Sequence, residues 1–289
     1  MRVNFKKILY SLVFFLAFIV FYQGIVYAGN NTDNPLEVVF LDVGQGDAVL
    51  INYLNDKQIL IDAGKNGKEV VSEIKKQMPH NDDKIEIIIA THPDMDHIGG
   101  MDEVLSNYKT DLFLDNGFKD DGEQLKKVER ILNQKQISQY SVFEGSTIDL
   151  GKHLSFKAYN PDNKQYSKSD KNGDSVVLRM DFGKNSFLFT GDIGKETEGD
   201  ILDDEEDVDV DWLKVAHHGS KNSSSNEFIE ETSPEFSIIS VGANNTYGHP
   251  HPEVLQKLKN SSSRIFSTAK EETIKVACPG IKRDCFLVD

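Results

Sequence analysis

Apolar residues in the first half of the chain fall into short runs of strand length, separated by turn residues. These runs are rich in β-branched side chains, which is typical of strands. The strands that they predict lie at residues 36–42, 48–53, 58–62 and 85–90. Elsewhere apolar side chains recur at helical spacing. The helices that this spacing predicts lie at residues 70–78, 98–108 and 125–132.

The second half of the chain repeats this alternation of strands and helices. Turn residues at 181–185 separate two strand-like runs and predict a hairpin. The strands predicted here lie at residues 175–180, 186–190, 212–216 and 236–241. Ser224 and Glu227 have capping-box spacing before a helix at 228–232, and Pro252 begins a helix at 252–258. Paired strands alternating with helices predict an α/β sandwich of two sheets faced by helices.

The first 28 residues have the layout of a secretory signal. Arg2, Lys6 and Lys7 precede an apolar run at residues 8–20, and residues 26–28 fit a cleavage site. The alternative is an uncleaved membrane anchor, and in both cases the rest of the chain leaves the cytoplasm. We therefore expect a signal peptide at 1–28, a short linker at 29–35 and a single domain at 36–289.

The chain is strongly acidic, with a net charge of −15. Removal of the signal, which carries three cations and no acid, leaves −18. Such a surface repels nucleic acid and anionic membranes at long range. This charge counts against a long nucleic-acid footprint, but not against a short strand that enters a site by its end.

Cys278 and Cys285 are the two cysteines of the chain. In an exported protein they can close a small disulfide loop, and the alternative is a pair of unlinked thiols on a frayed tail. Their distance in sequence from the histidines argues against a metal role, since a cysteine-rich zinc site needs further ligands nearby.

Six of the eight histidines lie in three short segments, and the first of these predicts a metal site. His92-Pro93-Asp94-Met95-Asp96-His97 follows directly on the apolar strand at 85–90. A loop at a strand end can turn several side chains toward one point. The metal ligands that this segment offers are His92, Asp94, Asp96 and His97.

Two further segments place ligating side chains after strands. Asp192 ends an apolar strand, where a carboxylate can bridge two cations, although Gly-Asp alone is ordinary turn chemistry. His217 and His218 follow the strand at 212–216. We expect His217 to be a ligand and His218 to support the orientation of a ligand ring.

The remaining histidines of interest, His249 and His251, lie in a proline-flanked loop before a helix. One interpretation is a stiff surface turn with two exposed imidazoles. The other places an imidazole near the leaving group of a substrate, as general acid or oxyanion stabiliser. In the N-terminal part, residues 44–46 join two strands and open no helix, which excludes a phosphate-binding loop. We expect the following Asp47 to face the rim of the site.

Together these segments resemble the metallo-β-lactamase superfamily. More narrowly, they are similar to the extracellular hydrolase domain of the ComEC competence family and its free-standing relatives. The segments that carry the resemblance are residues 40–47, 60–64, 91–100, 172–175, 189–192, 213–220 and 247–252. The resemblance implies an αββα sandwich of two mixed β-sheets faced by helices. It also implies a metal-dependent hydrolase with one or two divalent ions, zinc or manganese.

The superfamily pattern His-x-His-x-Asp-His implies roles for individual residues. It assigns ligand roles to His92, Asp96, His97 and His217, and a bridging role to Asp192. These assignments agree with the ligands that the motif chemistry predicts.

Other positions support the site or depart from the pattern. Asp62 matches an acid that supports the site without binding metal. Asp94 stands where the wider superfamily has histidine. ComEC-like members also have an acid at this position, so it is a feature of that branch. No histidine between the first and third segments matches the usual third ligand of the first metal. The segment at 172–175 occupies that region, so we expect the polar side chains of Asp174 and Ser175 to face the site or the substrate.

The function expected is an exported hydrolase that cleaves a phosphodiester with metal-activated water. We assign Asp96, His249 and His251 to catalysis, with His251 slightly preferred at the leaving group. The substrates considered are single-stranded DNA and wall polymers, and a β-lactam or another ester or amide is an alternative for the same chemistry. An alternative of a different class is a non-catalytic metal-binding surface module on the same fold.

Overall fold

The apolar runs of the sequence form the strands of two mixed sheets. In chain order the strands are β1 (Leu36–Phe40), β2 (Val49–Tyr53), β3 (Lys57–Ile61), β4 (Ile87–Ile89), β5 (Leu112–Asp115), β6 (Ser138–Ser141), β7 (Thr147–Asp149), β8 (Leu154–Asn160), β9 (Val177–Phe182), β10 (Asn185–Phe189), β11 (Trp212–Lys214), β12 (Phe236–Ile239), β13 (Arg264–Ser267), β14 (Ile274–Cys278) and β15 (Phe286–Val288). The first sheet has the order β15-β14-β1-β2-β3-β4-β5-β6, and the second has the order β13-β12-β11-β10-β9-β8-β7. Each sheet combines antiparallel pairs with a parallel part, which runs from β3 to β6 in the first and from β10 to β13 in the second.

The computed structural model describes most of the chain after the predicted signal. The described ranges are residues 35–54, 56–118, 122–151, 153–162, 171–204 and 206–288, and they belong to one compact unit that begins at Pro35. The predicted signal at 1–28 and all but the last residue of the predicted linker lie outside the described residues, so these boundaries stay predictions. Within the described ranges, none of the helices combines the length and the apolar composition needed to cross a bilayer.

Helices cover the outer face of each sheet. They are α1 (Gly67–Gln77), α2 (Met95–Ile98), α3 (Met101–Asn107), α4 (Glu123–Lys135), α5 (Lys195–Asp203), α6 (Asn226–Thr232), α7 (Pro252–Asn260) and α8 (Thr268–Glu271). Apolar side chains of α1 to α4 pack on the first sheet, and those of α5 to α7 pack on the second. The predicted αββα sandwich is therefore confirmed.

The alternation of side chains along the strands explains this layering. Leu36, Val38 and Phe40 of β1 face the space between the sheets, whereas Val39 faces the helices. Successive residues of a strand point to opposite faces, so a strand that is apolar throughout fills two layers of core at once. The ring of Trp212 lies between the sheets, stacked 4.0 Å from the ring of Phe236.

The helix predicted at 98–108 is α3, which begins at Met101, and the predicted first residue, Ile98, instead ends the separate helix α2 before Gly99 and Gly100. A Cβ atom on Gly100 would lie 2.3 Å from the carbonyl oxygen of Ala63, and one on Gly99 would lie 2.5 Å from that of Lys65. The two glycines therefore allow the chain to pass close to the loop after β3. This close approach brings α2, which carries part of the predicted metal motif, against the end of β3.

The cap of α6 lies one residue later than predicted. Ser225 is the N-cap, and its hydroxyl accepts a hydrogen bond from the backbone N–H of Phe228 at 3.1 Å. The Glu198 carboxylate accepts the N–H groups of Ser224 and Ser225. Ser224 has φ 55, outside the extended backbone that an N-cap adopts, which is why it does not cap the helix.

A disulfide joins the two cysteines, which is one of the two states left open by the sequence. Cys278 at the end of β14 is linked to Cys285, just before β15, with a Cα–Cα distance of 4.2 Å. Both are buried in the layer between the sheets. The link fixes the two C-terminal strands of the first sheet to each other.

We expect Trp212→Ala to lower the free energy of unfolding by about 3–5 kcal/mol, because it leaves a large cavity between the sheets. Tyr140→Ala is the matched control, since the side chain of Tyr140 is 65% exposed and its loss should change stability by less than about 0.5 kcal/mol. Chemical denaturation followed by circular dichroism measures both. Equal stability losses in the two variants would contradict the placement of Trp212 in the core.

Candidate metal centre

The predicted metal-binding segments follow strands that end at the same edge of the sandwich. Residues 92–97 follow β4, Asp192 follows β10, and both His217 and His218 follow β11. These strands lie in the parallel parts of the two sheets, where carboxyl ends collect at one edge. The distance from Nε2 of His97 to Oδ2 of Asp192 is 3.2 Å, and that from Nε2 of His217 to the same oxygen is 3.8 Å. The folded chain therefore brings these distant segments together.

Four side chains form the tightest group. Asp96, His97, Asp192 and His218 each offer one ligating atom, and these atoms lie within 4.8 Å of one another. Nε2 of His218 lies 3.4 Å from Oδ2 of Asp96 and 3.4 Å from Oδ2 of Asp192. All but Asp96 are buried. This group is called the cation cluster below.

Several ligating atoms of the cation cluster and of the adjacent His92 have no hydrogen-bond partner among the described residues. They are Nε2 of His92, Nε2 of His97, Nε2 of His218 and Oδ1 of Asp192. A buried polar atom without a partner costs about 1–3 kcal/mol, and native structures rarely leave one so. Imidazole nitrogens and carboxylate oxygens are ligands that Zn²⁺ accepts. The residues present therefore fit a bound divalent cation.

Hydrogen bonds at Nδ1 of His92 and His97 fix the orientation of both imidazole rings. Thr91 donates its hydroxyl proton to Oδ2 of Asp62 at 2.7 Å. Its oxygen lies 3.0 Å from Nδ1 of His92, and since the single proton is already used, Nδ1 of His92 must donate to it. Oδ2 of Asp62 lies 2.7 Å from Nδ1 of His97, and a carboxylate only accepts. Nδ1 of both rings therefore carries a proton, so Nε2 is the ring nitrogen that can bind a metal.

His218 is held in the same way by the second sheet. Its Nδ1 lies 2.9 Å from the carbonyl oxygen of Ser240, which can only accept. The backbone at His217 and His218 is left-handed, with φ 50 and 55. This sharp turn directs His218 inward and leaves the side chain of His217 28% exposed. The role of His217 as the ligand stays a prediction, while His218, expected to support a ligand, lies within the cation cluster.

Charge pairing holds the cation cluster together. Burial lowers the pKa values of His97 and His218, but carboxylates together outweigh it and hold both pKa values well above the ordinary value. They are Asp192 with Asp62 at His97, and Asp192 with Asp47 at His218. Burial raises the pKa of Asp192, but the two imidazoles hold it well below its usual range. Burial dominates at His92, whose pKa falls well below the ordinary value. Binding of a cation releases such imidazole protons, so cation affinity depends on pH.

A buried ion pair lies next to Asp192 of the cation cluster. Nζ of Lys214 contacts Oδ2 of Asp47, donates to the Gly191 carbonyl oxygen at 2.9 Å, and lies 3.8 Å from Oδ1 of Asp192. Burial raises the pKa of Asp47, but Lys214 and then His218 outweigh it and hold that pKa well below its usual range. Asp47 is 3% exposed, so its expected place at the rim is wrong. A role for Lys214 at the site was not predicted, although a charged residue inside an apolar strand is a signal that could have indicated one.

The turn at residues 44–46 packs against the backbone of Asp96, a member of the cation cluster. Gly46 has φ +135, and a Cβ atom there would lie 2.1 Å from the backbone oxygen of Asp96. The N–H of Asp47 donates to that same oxygen at 3.1 Å. Gly44 also has positive φ, but a Cβ atom on it would meet nothing within 4 Å. The absence of a side chain at Gly46 therefore allows the backbone of Asp96 to lie this close to the turn.

The segment at 172–175 contacts the site through its backbone and one hydroxyl. The Ser175 hydroxyl accepts the N–H of Asp192 at 3.2 Å, so Ser175 positions Asp192. Nδ2 of Asn160 donates to the Ser175 carbonyl oxygen at 2.7 Å, and Nδ2 of Asn116 donates to that of Asp174 at 2.6 Å. The expected role of the Asp174 side chain toward metal or substrate stays a prediction.

The histidines of the proline-flanked loop lie beside the cation cluster. The ring of His249 is 5.7 Å from that of His217 and 5.0 Å from that of His251, so His249 lies between His251 and the third segment. Burial and the neighbouring histidines lower the pKa of His249 to about 4, so its ring is neutral above that pH. The preference for His251 at the leaving group stays a prediction, and His249 is nearer to His217.

The family model of the metallo-beta-lactamase superfamily matches residues 41–243. The chain belongs to this superfamily. It is a superfamily of metallo-hydrolases, and its fold uses divalent metals. The metallo-beta-lactamase fold protein YhfI from Bacillus subtilis superposes with a TM-score of 0.55 at 11% identity, over 81% of this chain and 96% of that one. This likeness shows the fold alone.

Curated relatives agree with the predicted ComEC-type resemblance, which is confirmed. ComE operon protein 3 of Bacillus subtilis is 32% identical in an alignment of length 257 that covers 83% of this chain and 32% of that protein. Exodeoxyribonuclease WalJ of Streptococcus pneumoniae is 27% identical in an alignment of length 161 that covers 53% of this chain and 56% of that protein. The chain thus spans about a third of the first relative and somewhat over half of the second.

Within the superfamily pattern, Asp94 occupies the position of the missing histidine. It precedes α2 without capping it by a side-chain hydrogen bond. Burial and the neighbouring Asp96 raise the pKa of Asp94. The residues whose predicted ligand roles stay predictions are His92, Asp94, Asp96, His97, Asp192 and His217.

We expect Lys214→Met to lower the free energy of unfolding by about 3–5 kcal/mol, because it leaves the buried charge of Asp47 unpaired. The double variant Asp47→Asn with Lys214→Met removes that charge and should recover most of the loss. Lys126→Met is the control, since Lys126 is exposed and its loss should cost under about 0.5 kcal/mol. Denaturation midpoints measure these differences. A double variant as unstable as Lys214→Met alone would contradict the pairing.

We expect Gly46→Ala to weaken metal binding by at least about tenfold, the lower end for loss of a group that supports a ligand. The new methyl group collides with the Asp96 backbone and displaces its carboxylate. Gly44→Ala introduces left-handed strain of about 1–2 kcal/mol without a collision and should keep its metal affinity. Titration with Mn²⁺ or Zn²⁺ against a competing chelator gives the dissociation constants. Equal affinities in the two variants would count against this role of Gly46.

Proposed function

We propose that this chain is an exported metal-dependent phosphodiesterase that cleaves single-stranded DNA from an end. The observation that carries the proposal is the cation cluster, where buried imidazole nitrogens and a carboxylate oxygen lie together without hydrogen-bond partners among the described residues. A divalent cation would offset the cost of burying these atoms without hydrogen bonds.

The residues assigned to the cation are those whose ligating atoms already lie close together. We assign Asp96, His97, Asp192 and His218 to one divalent ion. His92, whose ring lies 4.1 Å from that of His97, is assigned with Asp94 to a second ion. The mixture of nitrogen and oxygen ligands suits Zn²⁺, and its carboxylate share suits Mn²⁺.

A divalent cation at this cluster supplies Lewis acidity, which stabilises negative charge on a phosphoryl group and makes water reactive near neutral pH. The chain's own residues orient the reactants. Asp192 is held by Ser175 at its backbone and by Lys214 near its Oδ1. His249, with a neutral ring beside the cluster, is assigned to the leaving oxygen, to which it donates a hydrogen bond. The ring of His251 packs against that of His249.

The substrate class follows from the relatives and from charge. The relative WalJ is named an exodeoxyribonuclease, and a phosphodiester is the bond that such an enzyme cleaves. A chain of net charge −15 repels a long polyanion, so we propose that only the end of a strand enters the site. Export is proposed from the signal-like segment at residues 1–28.

We expect the full chain, supplied with Mn²⁺ or Zn²⁺, to shorten an end-labelled single-stranded oligonucleotide stepwise. His218→Ala should lower both metal affinity and turnover by more than about 100-fold. Loss of a group that only supports a ligand costs up to about 100-fold, and loss of a ligand itself should cost more. His80→Ala is the matched control, because His80 is exposed and lies outside the cluster, and it should leave both unchanged. Gel analysis of the products and elemental analysis of bound metal are the two measurements.

The other hypotheses predict different results in the same assay. Hydrolysis of a chromogenic β-lactam without cleavage of DNA would replace the phosphodiester proposal with an amide hydrolase. Release from a wall polymer without cleavage of DNA would shift the substrate to that polymer. Bound metal without turnover of any of these substrates would support a non-catalytic metal-binding module.

A further inference from the structure

An exposed aromatic ring is separated from the cation cluster by one histidine ring. Tyr247 is 64% exposed, and its ring stacks on that of His249 with 5.7 Å between centroids and 26° between planes. The His249 ring lies 6.4 Å from that of His218. Three rings therefore lead from solvent to the cluster, and the outermost presents a face to solvent.

A single amide holds the loop that carries Tyr247. Nδ2 of Asn245 donates to the carbonyl oxygens of Gly242 at 2.9 Å and His249 at 2.7 Å. Its Oδ1 accepts the N–H groups of Tyr247 at 3.1 Å and His249 at 3.0 Å. The ring is thus presented by a loop whose conformation is already set, which lowers the entropic cost of binding a ligand.

The same loop is joined to the turn that carries His218. The N–H of His251 donates to the Gly219 carbonyl oxygen at 2.9 Å. A Cβ atom on Gly219 would lie 2.6 Å from Cβ of Pro250, so the two segments pack without a gap. The position of Tyr247 relative to the cluster is therefore set by direct contacts.

The charge of the chain determines which kind of contact can bind a nucleic acid here. At a net charge of −15, phosphates away from the cations are repelled. Stacking of a base on an aromatic ring needs no charge and accepts any base. An exposed ring one histidine away from the cation cluster can supply that contact to a strand whose end lies at the cluster.

We infer that Tyr247 stacks on a nucleobase of single-stranded DNA next to the phosphate that is cleaved, and so determines specificity for DNA strands over other phosphodiesters. This inference rests on the proposed function. Tyr247 touches the base and not the reacting atoms, so its contribution is to binding.

The test compares two single-stranded oligonucleotides of equal length, one with bases and one with abasic residues along its terminal part. For Tyr247→Ala in the full, metal-loaded chain we expect KM for the base-carrying strand to rise about tenfold, the size of one base–aromatic contact, with kcat unchanged. The abasic strand should show no change in KM. Tyr247→Phe keeps the ring and should retain the wild-type KM. Tyr140→Ala is the matched control, since Tyr140 is exposed to the same degree and lies on β6.

Fluorescence anisotropy with labelled strands and the EDTA-treated chain adds a measurement that does not need activity. Weaker binding of the base-carrying strand by Tyr247→Ala, with unchanged binding of the abasic strand, would support stacking. Equal KM values and equal affinities for wild type and Tyr247→Ala would overturn the inference while leaving the proposed function intact. If the wild type cleaves neither strand, the proposed function fails, and the anisotropy result alone decides whether Tyr247 binds bases.

Discussion

Buried ligating atoms that lack hydrogen bonds to the rest of the described structure are the constraint on which the site depends. Three imidazole nitrogens and a carboxylate oxygen are buried there without partners among the described residues, and each costs free energy that the surrounding fold must tolerate. The hydrogen bonds on the far side of the rings, to Thr91, Asp62 and the backbone of Ser240, make the arrangement persist, because they fix both the ring orientation and the proton. The site is thus preorganised for a cation and not for hydrogen bonding.

Much of this arrangement could be predicted from the sequence, because ligating residues cluster directly after apolar strands. His92, Asp96, His97 and Asp192 follow β4 and β10 in the printed order, and the sandwich brings these strand ends to one edge. The layers were predictable for a related reason. Periodicity of two or of 3.6 reports which face is buried, and the alternation in β1 shows this directly.

What could not be predicted depends on backbone turns and on pairs distant in sequence. Which of His217 and His218 points inward is decided by left-handed backbone at both residues, and hydrophobic periodicity carries no trace of it. Lys214 and Asp47 find each other only in the folded chain, since β11 and the turn after β1 belong to different sheets. The break between α2 and α3 was signalled by Gly99 and Gly100, but the apolar spacing runs on across it, so the pattern alone favoured one helix.

The cation cluster draws its side chains from both layers of the sandwich. Asp96 and His97 follow a strand of the first sheet, whereas Asp192 and His218 follow strands of the second. An ion that they share would add a cross-link between two layers that the buried Asp47–Lys214 pair and apolar packing already join here. Because a ligand that binds only the folded state stabilises it, removal of the proposed ion would weaken the contact between the sheets at the place of the proposed reaction. Under the proposed function, resistance to heat and proteolysis is therefore coupled to the free metal concentration of the surroundings.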